Sequence, residues 1–177
     1  MKMLHRDPEH YMKGKIAGTS HGSVLDVGCG IRPVFSRWIP ELDKTRYIGV
    51  DAYQSYIDVC CDKWKGVNFM CQPAPPLDFE DNSFDFVILD DVIEHLEKDQ
   101  GAELFREAKR IARRGVTVSS PNGFLAQSPH NTWGVEGGDT WQEHRSGWEP
   151  EEFNPKEVWL FWTEVSEDGW FLAWCPV

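Results

Sequence analysis

A chain of 177 residues is long enough for one domain with a full hydrophobic core and short for two, so residues 1–177 are expected to form a single domain. Charged residues make up 27% of the chain and hydrophobic residues 41%, which argues against a disordered protein. The formal net charge of −11 repels phosphate backbones, so nucleic acid is disfavoured as a partner.

The sequence also bounds where the protein is expected to work. It contains no apolar run long enough to cross a bilayer, and its polar first residues lack the apolar region of a signal peptide. We therefore expect a cytoplasmic protein without membrane association. The five cysteines lack metal-ligand spacing and are expected to be reduced thiols. The oligomeric state is left open.

The predicted elements alternate between helix and strand over most of the chain. A helix is predicted over residues 7–17, before the first strand. Five strands follow, at 24–27, 46–50, 67–71, 84–89 and 116–119, with helical segments between them. Such alternation predicts an α/β fold, a three-layer sandwich with a mostly parallel sheet and helices on both faces.

The last third of the chain departs from this alternation. Residues 124–148 are rich in glycine, polar and aromatic residues and predict an irregular insertion. Two further strands, 157–163 and 170–175, are predicted to be joined by a turn at 166–169. The sheet is therefore expected to have seven strands and to end in an antiparallel C-terminal hairpin.

The first strand runs into a glycine turn, Val24-Leu25-Asp26-Val27-Gly28-Cys29-Gly30, followed by Ile31-Arg32-Pro33. A strand, a glycine turn and a helix start place backbone N–H groups toward an anionic or nucleotide ligand. Asp51 ends the second strand about twenty residues later, where nucleotide-binding α/β folds place a carboxylate for ribose hydroxyls. Pro33 stands where the dinucleotide spacing requires a third glycine.

A second polar group follows the most apolar strand. Phe84 to Leu89 ends in Asp90-Asp91, and Val92-Ile93-Glu94-His95-Leu96 comes next. Open α/β sheets bind ligands at the carboxyl ends of their strands, so this run is expected to face the same site as the glycine turn.

Together these motifs resemble the class I S-adenosylmethionine-dependent methyltransferases, which have a Rossmann-like fold. The family's glycine motif is similar to VLDVGCG, its ribose-binding acid to Asp51, and its fourth-strand region to FDFVILDDVIEHL at 84–96. The resemblance implies S-adenosyl-L-methionine as cofactor and methyl transfer to a small-molecule acceptor. Arg32 stands where the family often has a glycine, and Pro73 lies in a loop that often carries an acid.

The resemblance also implies which residues hold the cofactor. Asp26 and the two glycines would shape the methionyl side, and Gln72 would meet the adenine. Arg32 either pairs with the methionyl carboxylate or faces solvent. The full set is Asp26, Gly28, Cys29, Gly30, Arg32, Asp51, Ala52, Gln72, Ala74 and Asp90.

Catalytic and acceptor-binding residues are less constrained, because in-line positioning alone supplies much of the rate. His95 and Asp91 are the catalytic candidates, although His95 can instead organise the turn after the strand. Trp133, Trp141 and His144 are expected to line a pocket for a smallish, partly apolar acceptor.

The run after the fourth strand also resembles part of a metal site. Methyltransferases that act on the 2′-hydroxyl of small-RNA 3′ ends carry an acid-x-x-Glu-His run and a later histidine that hold a divalent ion. Asp91, Glu94, His95 and His144 are similar to that set. The acidic net charge argues against RNA, so we predict no metal.

Two other functions fit part of the pattern. A nicotinamide-dependent oxidoreductase has the same alternation of strands and helices but needs the glycine spacing that Pro33 interrupts. A non-catalytic scaffold that binds the cofactor would tolerate the departures at Arg32 and Pro73.

Overall fold

The structure is a computed structural model that describes residues 2–3, 14, 22–129, 133–163 and 166–177, with the backbone alone at 2–3, 161–163 and 166–168. Apart from Gly14, the helix predicted over 7–17 lies outside the described residues. No helix among the described residues has the length and apolar composition needed to cross a membrane.

Eight strands and three α-helices are described. The strands are β1 (Lys2–Met3), β2 (Val24–Val27), β3 (Tyr47–Asp51), β4 (Asn68–Cys71), β5 (Phe84–Asp90), β6 (Ala112–Pro121), β7 (Glu157–Thr163) and β8 (Ser166–Pro176). The helices are α1 (Val34–Arg37), α2 (Gln54–Lys63) and α3 (Lys98–Ile111), and short 3₁₀ turns cover Lys44–Arg46, Ile93–His95, Asp139–Gln142 and Pro150–Phe153.

All eight strands form one sheet in the order β1-β7-β8-β6-β5-β2-β3-β4. The strand β8 runs antiparallel to both its neighbours, and every other described pair is parallel. The predicted fold class is thus confirmed, including the antiparallel C-terminal hairpin. The two-residue β1 adds an eighth strand at the edge, and a pair of residues is too short to be recognised from a sequence pattern.

The sheet has a hydrophobic core on each face because side chains alternate along its strands. Leu25 and Val27 of β2 point to the face covered by α3, where Leu104 is fully buried. Val24 points to the other face, which packs against Phe35 of α1. Helices therefore lie on both faces, as a three-layer sandwich requires.

The hairpin differs from the prediction at one point, because β8 already begins at Ser166 and the turn predicted at 166–169 is wrong. Thr163 pairs with Ser166, and Phe161 pairs with Trp170, so β8 has extra residues between two paired positions. Gly169 lies in this bulge with a φ of +77°. A left-handed glycine suits a bulge as well as a turn, and composition does not separate the two.

Candidate functional site

The glycine turn joins the carboxyl ends of two neighbouring strands. The backbone N–H groups of Gly28 and Cys29 donate to the Val50 carbonyl of β3 at 2.8 and 3.0 Å. Gly28 and Gly30 have φ values of +71° and +51°, which glycine adopts without strain. A Cβ at Gly28 would also lie 2.4 Å from Val92, so the predicted glycine requirement has a steric basis.

The buried Asp26 side chain links the strand before this turn to the helix after it. Its Oδ2 accepts hydrogen bonds from the Val34 backbone N–H at 2.8 Å and from the Tyr47 hydroxyl at 2.6 Å. Burial raises the pKa of Asp26 to about 6, although both hydrogen bonds act in the opposite direction. Since Val34 begins α1, Asp26 holds that helix start beside the glycine turn.

Asp51, the last residue of β3, binds the same turn at its second glycine. Its Oδ2 accepts from the Gly30 N–H and its Oδ1 from the Tyr53 N–H, both at 2.9 Å. Burial raises the pKa of the Asp51 carboxyl. Each carboxylate oxygen can accept more than one hydrogen bond, so Asp51 keeps acceptor capacity for ribose hydroxyls.

Gln72 follows β4 and lies next to Asp51, to whose carbonyl its N–H donates at 2.8 Å. The Gln72 Oε1 is buried and has no hydrogen-bond partner among the described residues. A buried acceptor without a donor is costly, and the amino group of an adenine ring is a suitable donor. The glycine turn, Asp51 and Gln72 together fit a nucleoside cofactor.

Four aromatic side chains, which we call the aromatic cover, lie over this turn: Tyr53, Tyr56, Trp133 and Trp141. The Trp133 ring rests on Gly30, where a Cβ would come within 2.1 Å of it, and lies 5.0 Å from the Tyr56 ring. Trp141 stacks on Tyr53 with ring centroids 6.1 Å apart. Both tryptophans thus lie on the glycine-turn side of the site.

Hydrogen bonds join the two tyrosines of the aromatic cover to the irregular segment predicted at 124–148, which carries the two tryptophans. The Tyr56 hydroxyl donates to the Gly138 carbonyl at 3.0 Å, and the Tyr53 hydroxyl donates to the Glu136 carbonyl. A Cβ at Gly138 would lie 2.4 Å from the Tyr56 hydroxyl. Glycine at this position therefore lets the segment approach the turn closely.

Asp90, at the end of β5, is bound on several sides. It accepts from Trp38 Nε1 at 2.9 Å and from Ser119 Oγ at 2.5 Å, and it forms an ion pair with Arg37. Arg37 gave no sequence signal for this role, since a basic residue near a helix end usually faces solvent. The ion pair ties α1 to the end of β5.

The remaining cofactor candidates range from exposed to buried. Arg32 is exposed, as one of the two sequence alternatives requires. A hydrogen bond with Cys60 and burial both raise the pKa of the Cys29 thiol, which keeps it protonated and unreactive. Ala52 is half-buried, and Ala74 packs against the core on the α3 face.

One acceptor candidate, His144, and one catalytic candidate, His95, lie in a second region, beyond β5. Glu94, His95 and His144 each place one ligand atom within 4.8 Å of the others, and the two histidine rings lie 4.9 Å apart. Burial lowers the pKa of His95 to about 4. His144 therefore lies against His95, and the pocket predicted for His144 with Trp133 and Trp141 stays a prediction.

Asp91 lies beside this cluster in a left-handed conformation with a φ of +53°. Its Oδ1 accepts from Trp170 Nε1 at 2.9 Å and from Ser119 Oγ at 3.2 Å. The left-handed turn at Asp91 redirects the chain from β5 into the 3₁₀ turn that carries Glu94 and His95. Glu94 was absent from the predicted catalytic and binding residues, although its run with His95 is visible in the sequence.

A separate cavity of about 310 Å³ lies at the opposite edge of the sheet. Residues at the amino ends of three strands line it, including Ser23, Tyr47 and Phe84. Parallel α/β sheets bind ligands at the other, carboxyl edge. We assign this cavity no part in the site.

The open sheet, the glycine turn and the carboxylate at the end of β3 define a Rossmann-like nucleotide-binding protein. Residues 25–119, more than half of the chain, match the methyltransferase domain family. The chain belongs to this family, which confirms the resemblance seen in the sequence motifs. No curated protein matches the chain.

Solved structures show the same fold. A S-adenosylmethionine-dependent methyltransferase from Methanosarcina mazei is 16% identical, with 98% of each chain covered and a TM-score of 0.63. The N-methyltransferase NodS from Bradyrhizobium japonicum, solved with S-adenosyl-L-homocysteine, is 14% identical, with 95% of this chain and 84% of NodS covered and a TM-score of 0.68.

Solved structures that are more similar in sequence match a smaller part of this chain. The PH0226 protein from Pyrococcus horikoshii is 25% identical over 64% of this chain, with a TM-score of 0.50. This chain spans 59% of PH0226, 46% of the cyclase SpnF and 52% of the Bacillus protein YcgJ.

Proposed function

We propose that the protein transfers a methyl group from S-adenosyl-L-methionine to a small-molecule acceptor. The observation that carries this proposal is the buried, unpaired Oε1 of Gln72 beside Asp51 and the glycine turn. Membership of the methyltransferase domain family and the nucleoside bound to the similar fold of NodS support it. The oxidoreductase and scaffold alternatives are not favoured by these comparisons.

Each cofactor candidate has a role in this proposal. Asp51 would hold the ribose hydroxyls and Gln72 the adenine edge, while Gly28 and Gly30 give the turn beside them its left-handed backbone. Asp26 acts by holding α1 against the turn. When bound, the cofactor supplies an already activated methyl group on its sulfonium sulfur.

The chain must then position an acceptor and exclude water, and positioning can supply roughly 7–11 kcal/mol of a barrier. His95 and Asp91 remain the predicted catalytic residues. The pKa of His95, about 4, makes this imidazole a weak base at neutral pH. A role for His95 in holding the acceptor therefore suits its surroundings better than proton removal does.

The irregular segment contacts the glycine-turn side through Trp133 and the end of β5 through His144, and it would enclose an acceptor bound between them. Lining of the acceptor pocket by Trp133, Trp141 and His144 remains a prediction. The cytoplasmic location and the single-domain organisation also remain predictions.

Calorimetric titration of the whole protein with S-adenosyl-L-homocysteine, and separately with NAD, tests the cofactor. Binding of the former alone is expected. Asp51→Asn should weaken that binding by about 10- to 100-fold, because a hydrogen bond to a charged group contributes roughly 1.5–3 kcal/mol. Asp62→Asn, at an exposed acid, is the matched control and should bind normally. Binding of NAD alone, or full affinity in a folded Asp51→Asn variant, would contradict the proposal.

A further inference from the structure

The cluster of Glu94, His95 and His144 is formed by two segments that are far apart in the sequence and in contact in the structure. The 3₁₀ turn after β5 supplies Glu94 and His95. The backbone N–H groups of Arg145 and Ser146 donate to the Glu94 carbonyl at 2.8 and 3.1 Å. These two bonds bring the neighbouring His144 to the carboxylate and imidazole of the turn.

Backbone carbonyls set the orientation of both histidine rings. His95 Nδ1 lies 3.0 Å from the Glu143 carbonyl, and His144 Nδ1 lies 2.8 Å from the Leu125 carbonyl. A carbonyl only accepts, so each Nδ1 carries the hydrogen, and a neutral ring then has its lone pair on Nε2. Metal-binding histidines are commonly oriented by such a bond on their other nitrogen.

The Glu94 side chain is buried and has an oxygen without a hydrogen-bond partner among the described residues. The side chain is 2% exposed, and the oxygen is Oε2. Burying a carboxylate oxygen without a donor or a cation is costly. One carboxylate oxygen of Glu94 and one ring nitrogen of each histidine lie within 4.8 Å of one another, and a cation bound among them would offset that cost.

We propose that Glu94, His95 and His144 bind one divalent transition-metal ion. Two imidazole nitrogens and one carboxylate oxygen are a donor set for zinc, iron, cobalt or manganese, whereas magnesium and calcium favour oxygen donors. Asp91 is not a ligand in this arrangement, because, of the residues that the structure describes, only Glu94, His95 and His144 place ligand atoms within 4.8 Å of one another.

Three protein ligands leave coordination positions open, as in catalytic rather than structural metal sites. An open position would take an oxygen of the acceptor, such as a hydroxyl or carboxylate. This second part rests on the proposed methyl transfer, since it names the acceptor of that reaction. The metal site itself does not depend on it.

The test uses chelator-treated whole protein titrated with Co²⁺ alone, followed by calorimetry and visible absorption. One ion per chain is expected, with a spectrum of nitrogen and oxygen ligation. Glu94→Gln and His144→Ala should each weaken binding by at least about 10- to 100-fold, the loss typical of even outer-shell changes. Glu103→Gln, an exposed acid on α3, is the matched control and should bind like the wild type.

Thermal melting keeps the result interpretable if a variant folds poorly. Co²⁺ should raise the melting temperature of the wild type and of Glu103→Gln but not of Glu94→Gln, and the milder His144→Gln replaces His144→Ala if the latter is unfolded. No Co²⁺ binding, unchanged affinity in folded Glu94→Gln, or a thiolate charge-transfer band would overturn the proposal. Because no nucleoside is present, failure here is separate from failure to bind S-adenosyl-L-homocysteine.

Discussion

Two regions of the carboxyl edge of the sheet offer different groups to a ligand. At the glycine turn, backbone N–H groups and Asp51 are covered by aromatic rings, with Trp133 resting directly on Gly30. Beyond β5, Glu94 and two histidines form a buried polar cluster with an unpaired carboxylate oxygen. The first region suits a planar nucleoside and the second a cation or a polar acceptor.

The difference shows how one irregular segment serves both regions. Trp133 and Trp141 of this segment belong to the aromatic cover, and His144, near its end, belongs to the cluster with Glu94 and His95. Asp90 lies at the end of β5, from which the chain continues to Glu94, and its ion pair with Arg37 anchors that strand end to α1. Changes at these points separate the contributions of the two regions.

The largest effect is expected from Arg37→Leu, which leaves the buried Asp90 carboxylate without its cationic partner. Breaking one side of a buried pair costs about 3–5 kcal/mol, and the bonds from Trp38 and Ser119 favour the lower end. Urea unfolding measures the loss. Lys65→Leu, which breaks the exposed pair with Asp62, should cost no more than about 1 kcal/mol. Equal losses would show that the Asp90 pair does not anchor the strand end.

Gly30→Ala should lower the free energy of unfolding by about 2–3 kcal/mol. The left-handed conformation costs an alanine about 1–2 kcal/mol, and the clash with the Trp133 ring adds about 1 kcal/mol. Gly66→Ala separates the two causes, because Gly66 has a φ of +85° and no atom near its Cβ position. If both variants lose the same stability, Trp133 does not rest on the turn in solution.

In metal-free protein, His95 should make stability depend on pH. Its pKa is about 4 in the folded state and about 6.5 when unfolded, so the unfolded chain binds a proton between those values that the folded protein does not. The stabilising contribution of the neutral ring is complete above pH 6.5 and declines as the pH falls toward 4.

Between pH 7 and pH 5, the wild type should therefore lose roughly 2 kcal/mol relative to His95→Asn. Urea unfolding at both pH values measures this difference in chelator-containing buffer. The raised pKa of Asp26 acts in the opposite direction but is common to both proteins, so it cancels. A parallel pH dependence of the two proteins would mean that the ring is not desolvated.

The smallest effect is expected from Trp141→Ala, which removes the outermost ring of the aromatic cover. A stacked aromatic pair contributes about 0.5–1.5 kcal/mol beyond its buried area, and Trp141 is 45% exposed, so a loss near 1 kcal/mol is expected. Met70→Ala, at a residue of the same exposure, is the control and should cost less. Thermal melting that ranks the two variants the other way would contradict the stacking with Tyr53.

The fold was largely predictable because its signals are local. The apolar run of 84–89, the glycine turn and Asp51 each depend on residues close together in the chain, and these motifs appear in the structure where they were expected. The turn predicted at 166–169 was wrong because glycine supports a bulge and a turn equally well.

The sequence by itself determined the strand-turn-helix pattern, the glycines that must be left-handed and the family to which the chain belongs. Tertiary structure decided the rest: Trp133 lies on Gly30, Arg37 pairs with Asp90, and His144 reaches Glu94. These partners are separated by about fifty to a hundred residues, and no periodicity links positions so far apart. Packing of the irregular segment onto the sheet edge brings them together, which turns scattered polar and aromatic residues into two distinct sites.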